Sequence, residues 1–292
     1  MAEEYDFFST STVASPPPDV APPSPVPLNE LAPNEWVPAP PASRGKRGLI
    51  VVLASVLVLI CVVGARFKLP ARYDNLVAHE EISTSAAGWV PLYTSGASPA
   101  RWDPCTPIHY VVNASYAPPS GVSDLKGALA RVQKATGLHF VFDGDTTELP
   151  DDRRSAVVRG DDGALSWAPV LIAWQPLGTS GGVEGLTVPI AVAGPDGGSI
   201  VTAYVAINSD LLLPPGFGPG VSEGLVVLHE LGHAVGLGHV ADPAQVMYPR
   251  VKGGYADFGT GDRAGLAALG APAGCHPAPA ARDLRLRLDG TG

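Results

Sequence analysis

Leu228-His229-Glu230-Leu231-Gly232-His233-Ala234-Val235-Gly236-Leu237-Gly238-His239 is the stretch on which the reading of this chain turns. A helix is predicted to begin near Ser222 and to run through His233, because Glu223-Gly224-Leu225-Val226-Val227-Leu228 leads into it without a breaker. Histidines four apart project from one face of a helix, so His229 and His233 can share one metal ion. Glu230, next to the first ligand, can reach a water at that metal without being a ligand itself. Gly236 follows His233 by three residues, where a glycine can end the helix with positive φ and turn the chain. That turn can bring His239 round as a third ligand. Three imidazoles on a tetrahedral Zn²⁺ leave a fourth position open to water, the arrangement of a catalytic zinc site.

Working outward, Gln245-Val246-Met247-Tyr248-Pro249 follows closely after His239, and Asp262-Arg263-Ala264-Gly265-Leu266 through Gly270 reads as a final helix. With these pieces the chain resembles the metzincin metallopeptidases, in their matrixin-like branch, whose signature is H-E-x-x-H-x-x-G-x-x-H followed by a methionine turn. The resemblance covers roughly residues 100–275. It implies an α+β domain: a twisted, mainly antiparallel sheet with an active-site helix and a closing helix. It gives Met247 the role of an apolar floor beneath the zinc, with Gly236 and Met247 supporting the site. It further implies a zinc-dependent endopeptidase that hydrolyses peptide bonds by zinc-activated water, with Glu230 as general base. Thr187–Ala193 is then a candidate edge strand along which an extended peptide or protein substrate can align. Tyr248 follows the methionine directly, as in matrixins, and takes no ligand role. Departures are also visible. His79, His109, His139 and His276 are too scattered for a second, structural zinc, no cysteine-switch segment is present, and Val251 stands where matrixins tend to have a tyrosine.

Upstream, Ile108–Val112 alternates like a strand. Ser123 is placed to cap a helix that ends at Thr136, with Gly137 behind it and Leu125, Leu129 and Val132 on one face. His139–Phe142, Val170–Trp174, Thr187–Ala193 and Ile200–Ile207 are further strand candidates, the last two joined as a hairpin by Pro195-Asp196-Gly197-Gly198. The acidic loop Asp143-Gly144-Asp145 through Asp151-Asp152 either holds Ca²⁺ or is simply solvated.

The first 47 residues read as a disordered tail, rich in stretches such as Ser15-Pro16-Pro17-Pro18 that favour polyproline II and cannot build a core. Gly48 to Ala65 is an uninterrupted apolar run without a charge, long enough to span a bilayer as a single transmembrane helix. The alternative is cleavage near Ala65 and secretion. Residues 66–88 form a stem, 89–276 the peptidase domain and 277–292 a C-terminal tail. Basic residues flank the apolar run evenly (Arg44, Lys46 and Arg47 before it, Arg66, Lys68 and Arg72 after it), so charge does not orient it. Of the three cysteines, Cys61 lies in the run, which leaves Cys105 and Cys275 bracketing the domain. Either they form a disulfide, which needs an oxidising compartment and puts the N-terminus in the cytoplasm and the domain outside, or they are two free thiols.

The net charge is −9, and only 16% of the chain is charged. The six acids of residues 1–43 and the six bases of residues 44–72 cancel, so the rest carries the acidity. A chain with no basic face is a poor partner for nucleic acid. Acidity of this kind serves solubility or mildly favours basic substrates. Two other classes of function fit the same zinc motif: a zinc-binding adhesion ectodomain without turnover, and a zinc hydrolase of a non-peptide bond.

Overall fold

The structure, a computed structural model, describes residues 76–78, 82–85, 87–179, 184–194 and 197–282. The chain divides after Arg66 into two units, and the first of them lies wholly outside the described residues. The proline-rich tail and the apolar run Gly48–Ala65 lie there. Among the described residues no helix is long and apolar enough to cross a membrane.

The second unit is mixed α+β. Three short strands, β1 (Leu76–Ala78), β2 (Tyr93–Ser95) and β3 (Ser98–Pro99), make one small antiparallel sheet. The main sheet takes β4 (Ile108–Asn113), β5 (Phe140–Asp145), β8 (Val170–Gln175), β9 (Gly185–Gly194) and β10 (Gly197–Asn208) in the order β5-β4-β8-β10-β9. Between them β6 (Val157–Arg159) and β7 (Leu165–Trp167) form a separate hairpin. Helix α1 (Gly121–Thr136) connects β4 to β5, α2 (Glu223–Ala234) follows β10, and α3 (Thr260–Leu269) closes the domain.

The sheet corrects one expectation: it is mainly parallel, not mainly antiparallel. β4 pairs in parallel with both β5 and β8, and β8 in parallel with β10; only β9 runs against its neighbour β10. The cause lies in the connections. A strand that returns through a helix, as β4 does through α1, re-enters the sheet in the same direction, whereas a tight turn reverses it. Within the main sheet, among the described residues, β9 and β10 are the pair joined as a hairpin. The central strand β8 is buried along Val170–Trp174, the continuous apolar run of a strand covered on both faces.

Helix α1 buries Leu125, Ala128, Leu129 and Val132 and ends at Gly137 with φ 70°, a left-handed C-cap. Its start differs from the expected Ser123 cap. Ser120 is the capping residue, without a side-chain bond, and Ser123 Oγ instead donates to the Ser120 carbonyl at 2.8 Å. Across the sheet, the Arg154 guanidinium is buried, pairs with Glu148 at 2.9 Å and donates to the Pro169 carbonyl at 2.9 Å.

At the end of the domain Cys105 and Cys275 form a disulfide across 170 residues of chain, with Cα atoms 5.4 Å apart. His276 sits beside it, buried, its backbone N–H donating to Asp103 at 2.9 Å. Within residues 277–292, Ala281 is buried and the Pro279 carbonyl accepts a bond from the Trp167 indole at 3.0 Å. A cavity of about 460 Å³ opens between Trp102, Trp167 and this segment, and none of its lining residues is one of the three motif histidines.

Candidate metal centre

Helix α2 is buried along its whole length, a position that only an apolar helix with internally satisfied polar groups tolerates. Ser222 precedes it, buried, with no partner for its hydroxyl among the described residues. At its first turn Glu223 accepts a bond from the Trp174 indole at 2.6 Å, tying the helix to the end of β8. His229 and His233 leave α2 on one side. Gly236 then ends the helix with φ 104°, and its missing Cβ matters twice, since such a carbon would stand 3.1 Å from Ile200 and 3.3 Å from the Ala100 carbonyl. The turn brings His239 back to the other two.

The three imidazoles meet at their Nε2 atoms, separated by 3.1 Å (His229–His233), 3.1 Å (His233–His239) and 3.3 Å (His229–His239). Their tautomers follow from their other contacts. His229 Nδ1 lies 2.7 Å from the Val246 carbonyl, and His233 Nδ1 lies 2.7 Å from the Leu237 carbonyl. A carbonyl only accepts, so both protons sit on Nδ1 and both Nε2 atoms present lone pairs. Burial pushes His229 down to about 4 and His233 well below its ordinary range, so both stay neutral. Lone pairs facing one another cannot bond to each other; a cation between them satisfies all three. Tetrahedral zinc at about 2.0–2.1 Å from each nitrogen sets ligand nitrogens about 3.3–3.4 Å apart, close to the spacings here. The residues fit the ion.

Backbone bonds hold the third ligand's loop from outside the helix. Ser83 N–H donates to the His239 carbonyl at 3.1 Å, and Ala241 N–H returns to Ser83 at 3.0 Å. Gly238 N–H donates to Val90 at 2.8 Å and Leu92 N–H to Gly236 at 2.7 Å. Part of this strap falls within residues 66–88, where β1 also pairs with β2. Beneath the histidines Met247 is buried, with its sulfur lodged where a side chain on Gly232 would be. Asp262 at the start of α3 fixes this turn by accepting Val246 N–H at 2.7 Å, Gly259 N–H at 2.9 Å and Met247 N–H at 3.4 Å.

Glu230 is buried beside the cluster. Its Oε2 accepts the Thr187 hydroxyl at 2.6 Å, and its carboxylate packs on Gly185, where a Cβ would come within 2.6 Å of Oε1. Burial raises it to about 7, against the Thr187 bond, with Glu184 adding a nearby negative charge. Thus β9, the edge strand of the sheet, supplies both the partner and the space for this carboxylate. Gly185, Glu184 and the Ser83–Leu92 strap carry no motif, and the sequence places Thr187 in an edge strand and Asp262 in the closing helix without giving either its bond at the site.

The acidic loop gathers no three carboxylates around one point among the described residues. Its charges are spent locally, Asp151 on Arg153 at 3.1 Å, Glu148 on Arg154, and Asp143 on His109 at 2.7 Å. The cluster of Asp103 with Cys105 and Cys275 contains the disulfide sulfurs, which have no thiolate to offer.

Three imidazoles from a helix and its following turn, with a buried methionine and a buried glutamate close by, form a cluster that could hold one metal ion. Residues 178–269 match the matrixin family model. This part of the chain, which takes in β9, β10, α2, the methionine turn and α3, is a matrixin-like metzincin peptidase domain, and the family is one of zinc metallopeptidases. No curated protein matches the chain at a significant level.

Proposed function

We propose that the chain is a zinc-dependent endopeptidase with Glu230 as its general base. The observation that carries this reading is the convergence of three imidazole Nε2 atoms next to one buried carboxylate held by Thr187. His229, His233 and His239 would hold zinc, which when bound supplies a Lewis acid that polarises the scissile carbonyl and acidifies water. Glu230 accepts the proton of the attacking water and passes it to the departing amine. Burial raises the Glu230 carboxyl, which favours a group that takes up a proton and then gives it away. Thr187 fixes Oε2, so the carboxylate does not swing away from the histidines between the two transfers. Substrate backbone lies along the free edge of β9, where main-chain bonds align an extended peptide.

A binding ectodomain has no use for a buried carboxylate beside its metal, since burying the charge costs stability even with the Thr187 bond. Placement outside the cytosol is supported by the Cys105–Cys275 disulfide, which persists only in an oxidising compartment. We further propose that Gly48–Ala65 anchors the chain there.

An unbiased peptide library incubated with the full chain tests the reading. Cleavage by the zinc-loaded wild type is expected, with loss on chelation and in the Glu230→Gln variant. A zinc-loaded wild type that cuts nothing, or a Gln variant that keeps more than a few per cent of the turnover, would overturn it.

A further inference from the structure

A second carboxylate stands close to Glu230. Glu184 immediately precedes Gly185, the residue that packs on Glu230, and its own carbonyl accepts Asn208 N–H at 3.1 Å, which fixes it to the end of the main ladder. Its side chain turns toward the segment leaving the methionine turn, where Oε2 accepts Val251 N–H at 3.3 Å. No Lys, Arg or His nitrogen lies within 4.0 Å of it among the described residues. Arg250 acts on it only through space, while Glu230 and Tyr255 both feel its negative charge. One backbone donor leaves most of its lone-pair sites unspent, and the group is half-buried, so its charge is poorly screened.

We propose that Glu184 is a specificity residue that selects substrates with a lysine or arginine side chain within two residues of the scissile bond. The inference rests on the endopeptidase reading and deepens it. A peptide lying along β9 with its scissile carbonyl at the histidines passes Glu184 within one or two residues, because Glu184 and the base-contacting Gly185 are chain neighbours. A cationic side chain there forms a charge-assisted bond, bidentate for arginine, and relieves the repulsion between Glu184 and Glu230. A purely structural role, as a latch for Val251, makes a different demand: an acceptor but no charge.

Glu184→Gln separates the two roles, since glutamine keeps an acceptor for Val251 N–H and loses the charge. Full-length wild type and variant, both zinc-loaded and checked for an unchanged melting temperature, are given the same peptide library and then matched peptides differing only in lysine against norleucine. Wild type is expected to enrich lysine and arginine next to the cut. The ratio of kcat/KM for lysine over norleucine should fall about tenfold in Glu184→Gln, and Glu184→Lys should shift enrichment toward aspartate and glutamate. Wild-type cleavage without basic enrichment, or a ratio unchanged in the Gln variant, overturns the proposal and leaves the peptidase reading standing. A wild type that cuts no peptide overturns both. If Glu184→Lys does not fold, the Gln ratio alone decides.

Discussion

The two ends of this domain are tied together in opposite ways. At the metal end the ligands, the base and the methionine are close in sequence, although their supports come from farther away. His229, Glu230, His233, Gly236, His239 and Met247 come from one helix and the turns after it, and a handful of backbone carbonyls set their tautomers. At the disulfide end the ties are remote. Cys105 meets Cys275, Asp103 meets His276, and Trp167 meets Pro279. The first arrangement spends buried polar groups on geometry, the second spends covalent and apolar contact on holding the chain closed. Damage at one end is therefore expected to cost chemistry, and damage at the other to cost stability.

The largest expected effect lies at the metal end. Glu230→Gln leaves the three imidazoles untouched, so zinc content should stay at wild-type level while turnover drops by about 10²–10⁴-fold. Parallel metal analysis and peptide kinetics check this; joint loss of zinc and activity would mean that the residue acts on the site's structure instead. At the other end, replacing Cys105 and Cys275 by Ala should reverse the pattern. Chain-entropy arguments give about 5 kcal/mol for so long a loop, with about 2–4 kcal/mol typical of real bridges. Denaturant unfolding should show that loss with the zinc affinity of the folded protein unchanged. A double variant of undiminished stability would break the division of labour.

Asp262 joins the two ends, because it anchors the methionine turn to the closing helix. Asp262→Ala strands the buried N–H group of Val246 and the partly buried one of Gly259, and should cost roughly 3 kcal/mol together with a weaker hold on zinc. Stability loss with zinc affinity intact would place it in the scaffold alone.

The smallest effect is a pH dependence. Burial raises Glu223 above its ordinary range, against the Trp174 bond, and Asp124 adds to the rise. A carboxyl with a raised folded-state value gives its stability below the unfolded value of about 4.3 and loses it as pH climbs through the folded value. Glutamine does not titrate. Melting temperatures of Glu223→Gln should therefore gain on wild type between about pH 4 and neutrality. A gap that is constant or moves the other way contradicts the buried-acid assignment.

The contrast between the ends also explains what was legible in the sequence. Helical spacing brings His229 and His233 together before any tertiary contact exists, and Gly236 announces the turn to His239, so the site's ligands are readable locally. Sheet direction is a property of how distant strands return, and Ile108–Val112 or Val170–Trp174 says nothing about its neighbour. The mainly antiparallel order that the resemblance implied therefore had no support in the strands themselves, while the β9–β10 hairpin, with its own turn residues, is legible locally. Ser123 failed as a cap because Ser120, three residues earlier, occupies the equivalent position. Thr187 is legible as part of an edge strand, but its bond to Glu230 is not, since it comes from a strand laid beside a helix far along the chain.

X-ray absorption at the zinc edge of the loaded full-length chain tests the central claim most directly. The account predicts three imidazole nitrogens at about 2.0–2.1 Å and one further light-atom ligand that the protein does not supply, with a histidine ligand lost in His239→Ala. A sulfur in the ligand shell, or a spectrum unchanged by His239→Ala, would contradict it.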